Sequence, residues 1–350
     1  MTKTHKPAKP LIGMNTAALR AIAVELGEAS FRGNQLVEWL YHRGAREFGV
    51  MSNLPESFRH KLTEQYTIGR LAVVTTQQST DGTVKLLLEM PDSARIETVG
   101  LPYSERYSCC VSTQAGCPIG CAFCATGRSG FQRNLSAGEI VDQMLSINES
   151  VTNASTAQSH PVDHVTFMGM GEPLLNYDAT VKALGLFSQE MGISARRLTV
   201  STIGHVPGIK RLAREGIPVT LAVSLHAADD NLRQQLIPGL RFSLAEIIAA
   251  GREYVTVTGR RITVEYCLLD DVNDRPDDAL KLALILKGLN CHVNLIPFNP
   301  AEGVLFKPSP PVKVKTFQLA LEKQGITVTA RLRRGADIDA ACGQLRNRDA

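Results

Sequence analysis

The stretch Cys117-Pro118-Ile119-Gly120-Cys121-Ala122-Phe123-Cys124 follows closely on a strand-like run at 109–113. Its cysteines are spaced Cys-x-x-x-Cys-x-x-Cys, and no fourth cysteine follows nearby. Iron–sulfur clusters are commonly held by four thiolates, so three local ones leave an iron of a four-iron cluster without a protein ligand. An open metal position is where a small molecule can coordinate and react. The spacing therefore suggests a reactive cluster rather than a passive electron carrier. Spacing alone leaves structural zinc and buried unligated thiols open. Zinc asks for a matching second half. The nearest candidates, Cys109 and Cys110, are adjacent and badly spaced for it. A disulfide framework needs an oxidising compartment, and Met1-Thr2-Lys3-Thr4-His5-Lys6-Pro7 lacks the apolar segment of a secretory signal.

Outward from this run the chain alternates strand and helix. Strand-like runs lie at 109–113, 164–168, 198–202, 219–225, 262–269, 292–297 and 326–329. Helical spacing falls between them, at 136–148, 178–191, 244–255 and 277–287. Repeated βαβ connections imply a parallel sheet. The expected fold is α/β, an incomplete (β/α)6 TIM-like barrel, with its chemistry at the C-terminal strand ends. The cysteine run follows the first strand at that end.

Upstream, residues 1–12 are Lys/Pro-rich and expected to be disordered. Asn15 or Thr16 can cap a helix carrying Leu19, Ile22, Ala23 and Leu26. Phe31, Leu36, Trp39 and Leu40 repeat the pattern, and Leu54-Pro55-Glu56 reads as another helix start. Residues 70–100 change to a period of two, with Asp81-Gly82 as a hairpin turn. The expected division is a mostly helical accessory module with linking strands at 1–95 and a core at 96–345.

A chain of 350 residues that is 44% hydrophobic can bury a substantial core, and no apolar run approaches the length of a membrane span. A net charge of +4 permits nucleic-acid binding without arguing for it. Arg196-Arg197, Arg260-Arg261 and Arg331 with Arg333-Arg334 are local basic clusters, and each also reads as an ordinary solvated face. Eight cysteines without a signal sequence point to a reducing cytoplasm.

Polar motifs recur at the predicted strand ends: Gly169-Met170-Gly171-Glu172-Pro173, Ser201-Thr202-Ile203-Gly204, Ser224-Leu225-His226-Ala227 and Asn299-Pro300. The glycines let backbone approach a ligand, and Glu172 can accept from an ammonium group. Each motif alone is weak. Four in phase with one barrel rim point to a single site.

The cysteine run with Phe123 before its last member, together with Gly-Met-Gly-Glu-Pro, resembles the radical S-adenosylmethionine enzymes. More narrowly it resembles the adenine-carbon methyltransferases of RNA, the RlmN and Cfr family. The resemblance extends through Cys109-Cys110-Val111-Ser112-Thr113-Gln114-Ala115-Gly116-Cys117, residues 127–134 and 169–176, Asn294-Leu295-Ile296-Pro297-Phe298-Asn299-Pro300, and Arg334-Gly335-Ala336-Asp337-Ile338-Asp339-Ala340-Ala341-Cys342-Gly343-Gln344-Leu345.

The resemblance implies that Cys117, Cys121 and Cys124 hold one four-iron, four-sulfur (4Fe-4S) cluster whose open iron is chelated by S-adenosyl-L-methionine. It implies cofactor contacts from Gly171, Glu172, Ser201, Ser224, Leu225, His226 and Asn299. The resemblance further implies two S-adenosylmethionine molecules per turnover. One methylates Cys342. The other yields a 5′-deoxyadenosyl radical that abstracts hydrogen from that methyl, and the carbon radical adds to an adenine ring carbon. Cys110 then releases the RNA through a transient disulfide with Cys342, and Glu97 is the general base. Cys109 on the opposite strand face reads as core, and Cys267 and Cys291 as packed thiols.

The target implied is adenine carbon 2 in the peptidyl-transferase region of 23S rRNA and beside the anticodon of some tRNAs. Arg128, Arg133, Arg331, Arg333 and Arg334 are candidate phosphate contacts. A flavodoxin is the expected electron donor, with no membrane or DNA partner. Carbon 8 methylation, a radical enzyme with another substrate and a zinc-containing RNA-binding protein are the alternatives.

Overall fold

The computed structural model describes residues 8–153, 161–239 and 241–346. Among them, ten strands form one sheet. Seven are parallel and adjacent in chain order: Tyr107–Cys110, His164–Phe167, Leu198–Thr202, Thr220–Ser224, Ile262–Leu268, Cys291–Pro297 and Val328–Ala330. Their apolar residues, such as Val165, Phe167, Val200, Leu221, Val223, Val264, Val293 and Leu295, are fully or almost fully buried. Strands covered on both faces are expected to be this apolar. The sheet has two free edges and does not close, so the architecture is a partial TIM-like barrel.

Every strand-like run of the sequence becomes a parallel strand, with shifted ends. The first stops at Cys110 because Thr113 N–H turns away to donate to Met170 O at 2.8 Å. The helix over 136–148 runs Ala137–Asn153. Ser136 and Glu139 start it with reciprocal side-chain caps, the Ser136 N–H donating to Glu139 at 2.7 Å and the Glu139 N–H to Ser136 Oγ at 3.2 Å. The expected helix over 178–191 is Tyr177–Gly185 followed by a wider π turn, Leu186–Glu190. Helices Val206–Arg214 and Pro311–Lys323 were not singled out above.

Three antiparallel strands, Ala72–Gln78, Val84–Glu89 and Arg95–Pro102, extend the sheet beyond Tyr107–Cys110. Before them lie helices Thr16–Glu25, Arg32–Val37 and Glu56–Gln65. Asn15 caps the first, its side chain accepting from Ala18 N–H at 3.0 Å.

The expectation of disorder to residue 12 fails at residues 8–12; residues 1–7 lie outside the described ones. Lys9–Pro10 pairs in parallel with Tyr66–Thr67, and Leu11 and Ile12 are buried in the core. The charged and proline-rich composition hides two apolar side chains with a place to pack.

The helical segment is tied to the core through a buried ion pair between Arg70 and Asp142, both almost fully enclosed. Asp142 also accepts from Leu71 N–H at 2.7 Å, and Arg70 reaches Glu149 at 2.9 Å. Removing one partner of such a pair leaves an uncompensated buried charge. Arg70→Ala is therefore expected to cost about 3–5 kcal/mol of stability, measured by denaturant unfolding of the two proteins side by side.

Candidate active site

After Cys110 the chain leaves the sheet and forms a small ladder, Gln114–Gly116 against Phe131–Asn134. Gly116 is in the left-handed region, and a Cβ there would lie 1.9 Å from Gly130 O. This close crossing lets Cys117 N–H donate to Gly130 O at 2.8 Å and starts the cysteine loop over the barrel rim. Cys124 N–H donates to Cys121 O at 3.1 Å. Phe123, between the last two cysteines, meets the His226 ring edge-on at 4.9 Å.

Cys117, Cys121 and Cys124 are free thiols lining one cavity with Gly171, Glu172, Ser201, Ser224 and His226. Glu172 is buried, its two carboxylate oxygens accepting from Leu174 N–H at 3.0 Å and Ile203 N–H at 2.9 Å. Burial raises its carboxyl to about 7 against those hydrogen bonds. Gly171 has φ +97°, and a Cβ there would strike the Gln114 side chain at 2.6 Å. His226 also takes a left-handed backbone, at φ +59°. Its Nδ1 accepts from Cys267 N–H at 2.9 Å, and burial pushes the ring down to about 3. It is a neutral ring whose Nε2 carries the proton. Leu225 differs from its neighbours: its side chain is in the core, and its carbonyl accepts from Arg233.

A second cavity adjoins the first. It is lined by Cys110, Asn299, Tyr103, Arg331 and Leu332, while Cys342, Cys124, Met168 and Gly169 border both cavities. The C-terminal segment is fastened to the cysteine loop: Ala125 N–H donates to Gly343 O at 2.8 Å and the Thr126 hydroxyl to Leu345 O at 2.6 Å. Asn299 Nδ2 donates to Cys342 O at 3.2 Å, and Arg331 Nη1 lies 4.0 Å from Cys342 Sγ. Cys342 is thereby held exposed on the wall between the cavities. Cys109 faces away, fully buried beside the Thr98 hydroxyl at 3.6 Å.

Glu97 lines neither cavity. Its carboxylate sits 3.0 Å from Lys85 Nζ and accepts from Arg346 N–H at 2.7 Å. Arg133 is no free phosphate contact: Asp92 at 2.5 Å and Glu139 at 2.8 Å neutralise it. Arg197 pairs with Asp163 at 3.1 Å, and Arg260 donates to Val219 O at 3.0 Å.

Two residues around the site escaped the sequence reading. Arg233, almost fully buried, donates to the Ile203, Ser224 and Leu225 carbonyls and ties two strand-end loops together. Glu265 lies in strand Ile262–Leu268 and borders the first cavity. Its Oε1 accepts from Asn294 at 3.0 Å, while Oε2 is buried without a partner. An unexpected acid in a buried strand was the available signal for Glu265; nothing local marked Arg233.

Residues 9–68 match the model of the ribosomal RNA large subunit methyltransferase N-terminal domain, and residues 111–283 match that of the radical SAM superfamily. The probable dual-specificity RNA methyltransferase RlmN of Trichormus variabilis is 43% identical over 348 residues, covering 99% of this chain and 96% of that protein. The protein of the same description from Syntrophomonas wolfei is 44% identical, covering 97% of each chain. This chain belongs to the RlmN family of radical SAM RNA methyltransferases. The crystal structure of a radical SAM methyltransferase from Sphaerobacter thermophilus agrees, with a TM-score of 0.93 at 43% identity, covering 97% of this chain and 100% of that one.

Family membership brings S-adenosylmethionine and an iron–sulfur cluster as cofactors and RNA as substrate, and removes the zinc-protein reading. The residues present fit those groups. Burial raises the Cys117, Cys121 and Cys124 thiols, and a metal cation bound between them would favour their thiolate forms. Glu265 Oε2 and Asn299 Oδ1 are buried acceptors without protein donors, and the ammonium and hydroxyl groups of S-adenosylmethionine are donors of the right kind. No helix among the described residues is long and apolar enough to cross a membrane.

Proposed function

We propose that the protein methylates carbon 2 of an adenosine in the peptidyl-transferase region of 23S rRNA, and the anticodon-adjacent adenosine of some tRNAs, through a methylated Cys342. The observation that carries this is the position of Cys342 on the wall shared by the three-cysteine cavity and the cavity containing Cys110. A sulfur there can take a methyl group from one side and present it to RNA on the other. The dual-specificity description of the relatives supports two kinds of RNA substrate.

In this reading Cys117, Cys121 and Cys124 hold one cluster, and Gly171, Glu172, Ser201, Ser224, His226 and the Leu225 backbone surround S-adenosylmethionine. When bound, the cluster and S-adenosylmethionine supply the methyl group and the one-electron chemistry that functionalises it, with a flavodoxin-type protein as electron source. An amidine carbon is electrophilic, so direct attack on a methylsulfonium is mismatched, and delivery from the Cys342 thioether avoids that. The adduct would also have to give up one electron, which the bound cluster would accept, as Glu97 takes the ring-carbon proton once Arg346 N–H leaves its carboxylate. Cys110 sulfur then attacks Cys342 sulfur. The S–S bond forms, the S–C bond breaks, and its electron pair goes to the carbon, which takes up a proton to become methyl. A thiol reductant restores both cysteines. Residues 1–95 help to grip the RNA.

Release should depend on pH. Burial pushes the Cys110 thiol up to about 12, with Cys342 beside it adding to the rise and Thr166 and Arg331 offsetting part of it. The attacking form is the thiolate, so its fraction grows about tenfold per pH unit well below that value. The single-turnover release rate is expected to climb from about pH 7 to 9 as that fraction grows. A flat or falling profile would remove Cys110 from the step.

The function is tested by anaerobic reaction of the reconstituted protein with 23S fragments and labelled S-adenosylmethionine, read as nucleosides by mass spectrometry. Labelled 2-methyladenosine is the expected product. Labelled 8-methyladenosine would reassign the carbon, and a different labelled nucleoside would reassign the substrate.

A further inference from the structure

We propose that Leu332 is a wedge that fills the gap left in the RNA stack when the target adenine is drawn into the Cys110–Cys342 cavity; this rests on the adenosine reading above. A ring carbon inside a stack is unreachable, so the base has to leave it. The vacancy costs a few kcal/mol of unstacking. Proteins that open base steps commonly insert an apolar side chain into them.

Leu332 is 86% exposed, yet it borders the cavity that holds Cys110 and Cys342. Among the exposed large apolar residues described, it alone does so. Its exposure is held in place from both sides. Arg331 N–H donates to Leu295 O at 2.9 Å, and the Arg331 side chain turns inward toward Met168 and Cys342. Arg333 Nη2 donates to Phe298 O at 2.9 Å, and the Arg334 guanidinium lies 4.7 Å from the Tyr103 ring centroid. An aliphatic side chain fixed in water at the mouth of a reaction cavity gains nothing from folding.

The surroundings identify the occupant as a polyanion with apolar faces. Arg106 joins Arg334 on Tyr103, at 4.5 Å from the same centroid. Among the described residues neither guanidinium pairs with a carboxylate, so both are available to phosphates flanking the extruded nucleotide. In this division the arginines hold the backbone and Leu332 stacks on the base beside the vacancy.

The test compares wild type, Leu332→Ala and Leu332→Met as cluster-loaded proteins. RNA hairpins carry 2-aminopurine next to the target adenosine, and S-adenosylmethionine is present without reductant. Wild type and Leu332→Met are expected to raise the fluorescence on binding, because the neighbour loses its stacking partner. Leu332→Ala is expected to bind with similar Kd but to lose most of that rise. Its kcat/KM on structured RNA should fall about tenfold, mostly in kcat. The defect should shrink on RNA in which the nucleotide beside the target is abasic, where no neighbouring base is left for Leu332 to stack on. Unchanged fluorescence and turnover in Leu332→Ala would overturn the proposal. So would a defect seen only with a reduced protein donor and not with dithionite, which would assign Leu332 to donor docking. Failure of wild type to methylate any adenosine hairpin would instead overturn the adenosine reading, and the wedge with it.

Discussion

Replacing Cys342 with alanine is expected to stop RNA methylation while leaving the fold and the cluster intact, a loss of at least about 10⁴-fold in kcat. The side chain is exposed, and the contact that fixes its position is its backbone carbonyl to Asn299 at 3.2 Å, which alanine keeps. The neighbouring thiols cannot substitute. Cys124 belongs to the three-cysteine loop, and Cys110 and Cys267 are buried with their thiols raised, that of Cys110 to about 12. Iron and sulfide content and thermal unfolding should therefore match wild type. Measurable methyl transfer by Cys342→Ala would show that the methyl reaches RNA by another route.

Replacing Cys110 with alanine is expected to give a different failure. The methyl group is loaded and carbon–carbon bond formation proceeds, but no sulfur attacks Cys342 to cleave the link. RNA should accumulate on the protein at no more than one per chain, seen as a nuclease-sensitive species on denaturing gels. Release should slow by roughly 10³-fold or more. The strand survives the substitution, because Cys110 pairs through its backbone with Val99 and Thr166. Cys109→Ala is the control. Cys109 points to the opposite face and bonds with Thr98, so it should cost some stability and leave release unchanged.

These two predictions use residues that could be read from the chain, and the physical reason is local. The parallel strands are short apolar runs rich in β-branched residues, such as Val165 and Val264, and their spacing gives the barrel directly. The cysteine run carries its chemistry in its own spacing. What stayed hidden depends on partners far along the chain. Arg133 looks like a free cation until Asp92, 41 residues away, is folded against it. Glu97 is an ordinary strand carboxylate until Lys85 and the Arg346 N–H close on it. Arg233 reaches three loop carbonyls only because the helix Asp230–Leu236 packs its charge beneath the rim. Leu332 would pass for a core residue; its exposure follows from Arg331 and Arg333 being pinned to either side.

The most direct measurement is the mass of the tryptic peptide spanning residues 335–346, taken before and after a single turnover. After anaerobic incubation with methyl-labelled S-adenosylmethionine and no RNA, the peptide should carry one labelled methyl on Cys342. Adding RNA, fresh unlabelled S-adenosylmethionine and reductant should move that label into 2-methyladenosine and leave the peptide without labelled methyl. A peptide that never gains the methyl, while label still reaches the RNA, would contradict the assignment of Cys342 as the carrier.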